Sequence, residues 1–349
     1  MPAALIAFTV ALIASLSLTV PVRQLALRVG LVDHPGPRKV HVKPIPLLGG
    51  LAMYCGVVLA ILISMPGQTR AQILGVLAGA TLVAAVGILD DGGLLHHQIK
   101  LFMAMPGAAL ILLASGIHAQ VFSEFSPGRA VQWLDAGLTI FWVVGITAAF
   151  SILDHMDGLC AGVAAVASVF FTAFAVWRGQ VLVATLAAAV LGAALGFLRW
   201  NFNPAKIFMG DGGAMFLGFL MATLALKLRP TEPLHGASWL VPVFILGVPI
   251  FDTTLVSISR ARRGLLPFAT PGKDHTAHRL SNLGLGQRKA VLALYGLGGV
   301  FGILAFVLTR LSLRQGFALA GGIALLALCA VALLERAPYE RQPVRPEPG

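Results

Sequence analysis

Carboxylates, glycines and basic side chains gather in short polar patches between long apolar runs, and their spacing suits metal-assisted phosphate chemistry. Asp90 and Asp91 close an apolar run in GILDDGGLLHHQIK. Adjacent carboxylates repel one another unless a cation sits beside them. A hard ion such as Mg2+ fills that role, because it takes oxygen ligands and keeps waters or phosphates in its shell. Lys100 opens the next apolar run and is placed to reach back to a phosphate. Asp154 and Asp157, in SILDHMDGLCAG, are spaced i, i+3 and share one face if the segment is helical, while Gly158 and Gly162 admit another backbone. Asp211 stands among Gly210, Gly212 and Gly213 at the start of an apolar run. Such a turn offers a carboxylate to a metal and backbone N–H groups to phosphate oxygens. Asn201, Asn203 and Lys206 precede it and make the patch more polar than a turn requires. Read singly, each patch is equally a solvated loop or a plain turn.

Two basic segments complement these acids. DHPGPRKVHVKPIPLLGG holds Arg38, Lys39 and His41, and PGKDHTAHRLSNLG holds His275, His278 and Arg279. Arg offers a planar fork, Lys a point charge and His a switchable donor, a mixture suited to phosphate. His275 and His278, also at i, i+3, have a spacing compatible with zinc, but no cysteine lies nearby and carboxylates dominate the other patches. Arg260, Arg262 and Arg263 read as membrane-anchoring charges. Asp252 lies inside an apolar run beside Pro249, and an acid within a membrane span is a functional or pairing residue by default.

The elements that must position these groups are membrane helices. Of 349 residues, 58% are hydrophobic and 11% charged, more apolar surface than a soluble fold of this length can bury. A span takes roughly 17–25 apolar residues. About eleven stretches approach that, near 3–20, 47–65, 71–89, 101–119, 133–150, 160–177, 181–198, 212–227, 238–257, 290–308 and 316–334. The expectation is an all-α polytopic membrane protein. Residues 1–336 form one transmembrane catalytic domain, and 337–349 a polar, disordered cytoplasmic tail. The first stretch lacks a basic leader and a small-residue cleavage site, so it reads as a retained anchor. Cys55, Cys160 and Cys329 lie within or beside apolar runs and read as packing residues.

Orientation follows from the basic residues. Eighteen of the 25 Lys and Arg fall on one side, leaving Arg70, Arg129, Arg178, Lys227, Arg229, Arg310 and Arg314 on the other. The richer side faces the cytoplasm, which puts the N-terminus outside and the C-terminus inside. The acidic patches share that side, so the active site is expected on the cytoplasmic face of the inner membrane. The net charge of +11 then reflects topology and anionic lipid. Most aromatics sit in apolar runs, which excludes a stacking surface for nucleic acid. Carboxylates, an ion and basic loops on one face suit phosphoryl transfer, in which positioning and charge stabilisation carry catalysis.

In this order the motifs resemble those of the polyprenyl-phosphate N-acetylhexosamine-1-phosphate transferases. The carrying residues are RKVH with PIPLLGG, LDD with Lys100, the Asp154/Asp157 patch, NPAKIFMGDGG, and H-x-x-H-R-L from His275 to Leu280, together spanning about residues 33–290. The resemblance implies a reaction in which a lipid phosphate, undecaprenyl phosphate, attacks the β-phosphate of a UDP-N-acetylhexosamine. The products are lipid-diphosphate-sugar, which starts a cell-envelope glycan, and UMP. It also implies Mg2+, with Mn2+ as a substitute, held by Asp211 with Asp90 and Asp91 nearby. Either of those two could serve as a base toward the lipid phosphate. Asp154 and Asp157 would shape the nucleotide-sugar site. Arg38, Lys39, His41, Lys100, Ser151, Asn203, Lys206, His275, His278 and Arg279 would contact substrate, and a homodimer is compatible with the family. The chain departs from the family's pattern at Ser151, where Asn is usual, at His155, where Gly or Asn is common, and at Ala277, Ala214 and Ala104. H-x-x-H-R-L favours the hexosamine-phosphate branch over the phospho-MurNAc-pentapeptide translocase. A transporter of ions or lipid-linked intermediates would need repeated halves with acids near the midplane. A CDP-alcohol phosphotransferase would need a D-G-x-x-A-R motif, absent here.

Overall fold

In hydrocarbon every backbone polar group must be paired within the protein, and apolar runs of this length do so by becoming helices. The computed structural model describes residues 1–34, 44–64, 70–95, 97–124, 126, 128–229, 237–266 and 272–339. Its helices are α1 (Pro2–Val29), α2 (Gly49–Ser64), α3 (Arg70–Asp91), α4 (His97–Ile99), α5 (Met105–Ala114), α6 (Arg129–Leu153) and α7 (Leu159–Trp177). They continue with α8 (Val181–Asn201), α9 (Gly210–Lys227), α10 (Leu240–Ile245), α11 (Gly247–Ala261), α12 (Thr276–Leu280), α13 (Gly286–Leu308) and α14 (Leu313–Leu334). π-helical turns at Lys100–Ala104 and Ser281–Leu285 lead into α5 and α13.

The expected apolar stretches fall mainly on helix, although 101–119 leaves helix after Ala114, and the chain is an all-α multi-pass membrane protein. Among the described residues seven helical runs are long and apolar enough to cross a membrane, and Gly49–Ser64 and Lys100–Ala114 are shorter apolar helices. The ninth stretch is broken at Leu246, between α10 and α11. Pro249 has no N–H to return to the carbonyl of Ile245, where α10 ends, so the break falls one turn before the proline.

α9 is the hub. All of its residues except Asp211 and Lys227 are buried, and α2, α3, α6, α7 and α8 pack around it. Small residues allow this density. A Cβ on Gly213 would lie 2.7 Å from the Gly50 Cα of α2, and one on Gly87 of α3 would lie 2.5 Å from Gly212. α14 is peripheral, with only Gly316 and Val331 buried.

Two two-residue strands, β1 (Val32–Asp33) and β2 (Ile45–Pro46), pair antiparallel. The chain after β2 then pairs with the approach to α9. The Phe208 N–H donates to the Pro46 carbonyl at 2.9 Å, and the Gly49 and Gly50 N–H groups donate to Phe208 and Met209 at 2.9 Å. PIPLLGG and KIFMG, far apart in sequence, therefore form one hydrogen-bonded strip that sets where α9 begins.

The tail joins the fold further along than residues 337–349 suggested. Ala337 is buried, the Pro338 carbonyl accepts from Asn282 Nδ2 at 3.1 Å, and the Tyr339 ring lies 4.1 Å from the Arg279 guanidinium. Residues 340–349 lie outside the described part.

Candidate active site

Helix ends bring the acidic patches together. α3 ends at Asp91, α6 ends just before Asp154, and α9 begins at Gly210. Lys100 Nζ lies 2.8 Å from Asp90 Oδ2 and forms a short ion pair with Asp211 Oδ2. Ser151 Oγ donates to the other Asp211 oxygen, Oδ1, at 3.0 Å. Residues from α3, the π-helical turn, α6 and α9 thus meet at one carboxylate.

Asp91 does something different from its neighbour. Its Oδ1 accepts the Asp211 N–H at 2.9 Å, and its Oδ2 accepts the Gly212 N–H at 3.2 Å. The opening amides of a helix have no partner within it, and a carboxylate both pairs them and complements the positive end of the helix dipole. The expectation that the GDGG turn offers free N–H groups to phosphate is therefore corrected for Asp211 and Gly212. Their amides are taken by Asp91, and the glycines serve close helix packing.

Asp154 follows α6 and makes no hydrogen bond or ion pair among the described residues. Burial, and then the charges of Asp211, Asp91 and Asp157, push its carboxyl well above the usual carboxylate range. Asp90, Asp91, Asp154 and Asp211 gather with the Lys100 ammonium in an oxygen-rich pocket, and that donor set fits a divalent hard cation. Asp211 and Asp90, which share Lys100, are the carboxylates that could hold it, with Asp154 nearby. Asp91 is committed to its cap.

Asp157 and Asn203 are brought together by a direct hydrogen bond. Asp157 Oδ2 accepts from Asn203 Nδ2 and from the Ala205 N–H, both at 3.0 Å. Arg288 Nε donates to Asn203 Oδ1 at 3.0 Å, and Asn203 Nδ2 also reaches Gln287 Oε1 at 3.2 Å. Gly158 and Gly162 admit a side chain and not a backbone. The Tyr295 ring lies against Gly162, and its hydroxyl donates to the Gly158 carbonyl at 2.5 Å. Lys206 lies over the Trp200 ring at 5.5 Å.

The basic loops divide. Arg38, Lys39 and His41 lie outside the described residues. His275 pairs through Nδ1 with Asp252 Oδ2 at 2.9 Å, and its ring stacks on His155 at 3.9 Å. His278 lies 4.8 Å from the same His155 ring. Burial, and then the neighbouring His275, hold His155 well below the ordinary imidazole range.

Arg279, expected on substrate, is a structural residue. It is fully buried and donates to the Asp274 and Leu334 carbonyls at 2.8 and 2.6 Å. It also donates to Ser259 Oγ and Glu335 Oε1 at 2.9 and 2.7 Å. Arg260, read as an anchoring charge, is buried as well. It meets the two Asp274 oxygens at 3.0 and 2.9 Å, and Arg263 meets Asp274 at 2.5 Å. Burial opposes the Asp274 charge, but the hydrogen bond and charge of Arg260, with Arg263, outweigh it and hold the carboxyl at about 2. These pairings join residues separated by loops, and spacing alone gave no sign of them. His155 was visible as a departure from a family pattern, though not as the neighbour of His275.

Comparison with known proteins gives this geometry a lineage. Residues 73–229 match the glycosyl transferase family 4 profile. The chain is 39% identical over 305 residues to a probable undecaprenyl-phosphate N-acetylglucosaminyl 1-phosphate transferase of Bacillus subtilis, covering 87% of this chain and 84% of that one. It is 34% identical to a decaprenyl-phosphate N-acetylglucosaminephosphotransferase of Mycolicibacterium smegmatis, over 78% of this chain and 74% of that one. An undecaprenyl-phosphate alpha-N-acetylglucosaminyl 1-phosphate transferase of Escherichia coli K12 is 29% identical, over 78% and 75%. With its acids, lysine and glycine turn at the ends of packed membrane helices, the chain belongs to glycosyl transferase family 4, the family of polyprenyl-phosphate N-acetylhexosamine-1-phosphate transferases.

Proposed function

We propose that the protein transfers N-acetylhexosamine 1-phosphate from a UDP-sugar to undecaprenyl or another polyprenyl phosphate, at the cytoplasmic face of the inner membrane, and so starts a cell-envelope glycan. The observation that carries this reading is the convergence of Asp90, Lys100 and Ser151 on Asp211. The names of the relatives favour N-acetylglucosamine as the sugar.

A lipid phosphate oxygen attacks the β-phosphorus of the nucleotide sugar. The bond from that phosphorus to the bridging oxygen breaks, and UMP leaves with the electron pair. One pyrophosphate linkage replaces another, so the reaction is close to balanced and reversible. Mg2+, when bound, neutralises charge on the diphosphate during this exchange. Asp211 and Asp90 would hold the ion, with Asp154 beside them, and Asp91 keeps Asp211 in place through its backbone. Ser151 fixes the orientation of the Asp211 carboxylate. Lys100 supplies positive charge next to the transferring phosphate. Asp157 and Asn203 brace the loop before α9. A lipid phosphate already ionised at neutral pH has little need of a base.

Purified protein given Mg2+, undecaprenyl phosphate and labelled UDP-N-acetylglucosamine should release UMP and form a labelled lipid. Absence of UMP from every UDP-N-acetylhexosamine tried with folded protein would overturn the proposal. Counterflow of lipid-linked sugar without UMP would favour a transporter.

A further inference from the structure

The histidine segment is too short to hold its own position. α12 has five residues, Thr276–Leu280, and isolated helices of fewer than about 12 residues are marginal. Its leading end is fixed by Asp252, which pairs with His275 and accepts the Thr276 N–H. Its trailing end is fixed by the chain that follows α14. Arg279 Nη1 donates to the Leu334 carbonyl at 2.6 Å, and Nη2 donates to Glu335 Oε1 at 2.7 Å. The Tyr339 ring covers the same guanidinium at 4.1 Å and lies 5.3 Å from that of Arg263. From the π-helical turn after α12, Asn282 Nδ2 donates to the Pro338 carbonyl at 3.1 Å.

Packing of α14 in the bundle does not account for these contacts. Only Gly316 and Val331 of that helix are buried, yet Leu334, Glu335, Pro338 and Tyr339 each meet the histidine segment or the turn after it. The last carbonyls of a helix lack intrahelical partners and carry partial negative charge, so a buried guanidinium suits them. Arg279 needs them in turn, because a buried charge that loses a partner is costly. We propose that Glu335 and Tyr339 are positioning residues for the transfer reaction. By holding Arg279 they fix α12, and so keep His275 and His278 against His155, next to Asp154. As in the transfer reading on which this rests, the histidines contact the nucleotide sugar. The chain after α14 then tunes substrate affinity without touching substrate.

The test uses the full-length protein in detergent with Mg2+ and saturating undecaprenyl phosphate. Glu335→Ala and Tyr339→Ala should each raise KM for UDP-N-acetylglucosamine about fivefold, with kcat within about twofold of the parent, the pattern of lost substrate binding. Glu335→Gln keeps an acceptor oxygen for Arg279, and Tyr339→Phe keeps the ring over it, so both should restore KM. A second measurement needs no turnover: modification of histidines by diethyl pyrocarbonate, read residue by residue by mass spectrometry. His275 is 4% exposed and should react at least about threefold faster in the two alanine variants, because the segment around it opens locally. His118, in the connection between α5 and α6, should react at the parent rate. Unchanged KM in both alanine variants, or unchanged protection of His275, would overturn the brace. Equal acceleration at His118 would mark general loosening and overturn it too. A parent that releases no UMP overturns the transfer reading instead, and the His275 rates still decide whether the chain after α14 holds the segment.

Discussion

Asp91 holds Asp211 by its backbone and not by its side chain: the Asp91 carboxylate accepts the Asp211 N–H at 2.9 Å, across 120 residues of sequence. The same device recurs where Asp252, in α11, accepts the Thr276 N–H that opens α12 at 2.7 Å. In both cases an acid from one helix sets the position of another segment bearing functional side chains. Adjacent aspartates at 90 and 91 therefore divide their work, one facing Lys100 and the other capping α9.

Removing the cap should cost stability. Asp91→Ala is expected to lower unfolding free energy by about 1–2 kcal/mol, in the range measured for lost helix caps. Asp91→Asn, which keeps one acceptor oxygen, should cost less. Thermal unfolding in detergent measures both, and equal stability of Asp91→Ala and the parent would refute the capping role.

Asp211→Asn should leave the fold intact and remove the charge at the centre of the cluster. Turnover is expected to fall by roughly a thousandfold or more, as when a principal electrostatic contact to transferring phosphate is lost. The melting temperature should change little. Near-normal UMP release would contradict its place in the chemistry.

Ser151→Ala removes one hydrogen bond to the Asp211 carboxylate. A bond of about 0.5–1.5 kcal/mol corresponds to a roughly 2- to 13-fold decrease in kcat. Steady-state kinetics with both substrates saturating would show it, and a loss as severe as that of Asp211→Asn would mean that Ser151 touches substrate directly.

Asp274→Ala removes the carboxylate that meets both Arg260 and Arg263 and is expected to destabilise by about 3–5 kcal/mol. The folded carboxyl sits at about 2, below its unfolded value near 3.9. The pair thus contributes fully above the ordinary carboxylate range, weakens as pH falls through it, and is lost through about 2. A stability profile that is flat in this contribution from pH 5 to 9, and a matching acid-limb difference between parent and variant, would check the sign.

Gly213→Ala should be disproportionately damaging for one methyl group. Its Cβ would lie 2.7 Å from the Gly50 Cα, and backbone cannot yield as a flexible side chain can. Overpacking of this kind costs about 1–3 kcal/mol, and because it displaces the first turn of α9 it should also reduce UMP release. Wild-type stability would show that the helices separate freely at this point.

Much of the protein was legible in the sequence. Hydropathy is a local property, so apolar runs gave the membrane helices, and the order of the polar patches gave the family. Lys100 was legible as a cation that reaches back toward the Asp90–Asp91 end of the span, though as a phosphate contact and not as the partner of Asp90, and Asp211 stood out as the lone acid in a glycine turn. What the sequence left open is which acid faces which donor. Asp91 as a cap, Arg279 as a buried strut against Leu334 and Glu335, Arg260 as the partner of Asp274, and the stacking of His155 on His275 all join segments that only helix packing brings together. Spacing reports what neighbours along the chain share, whereas a buried polar group takes whatever partner the tertiary fold delivers, because leaving it unpaired costs more than the distance in sequence.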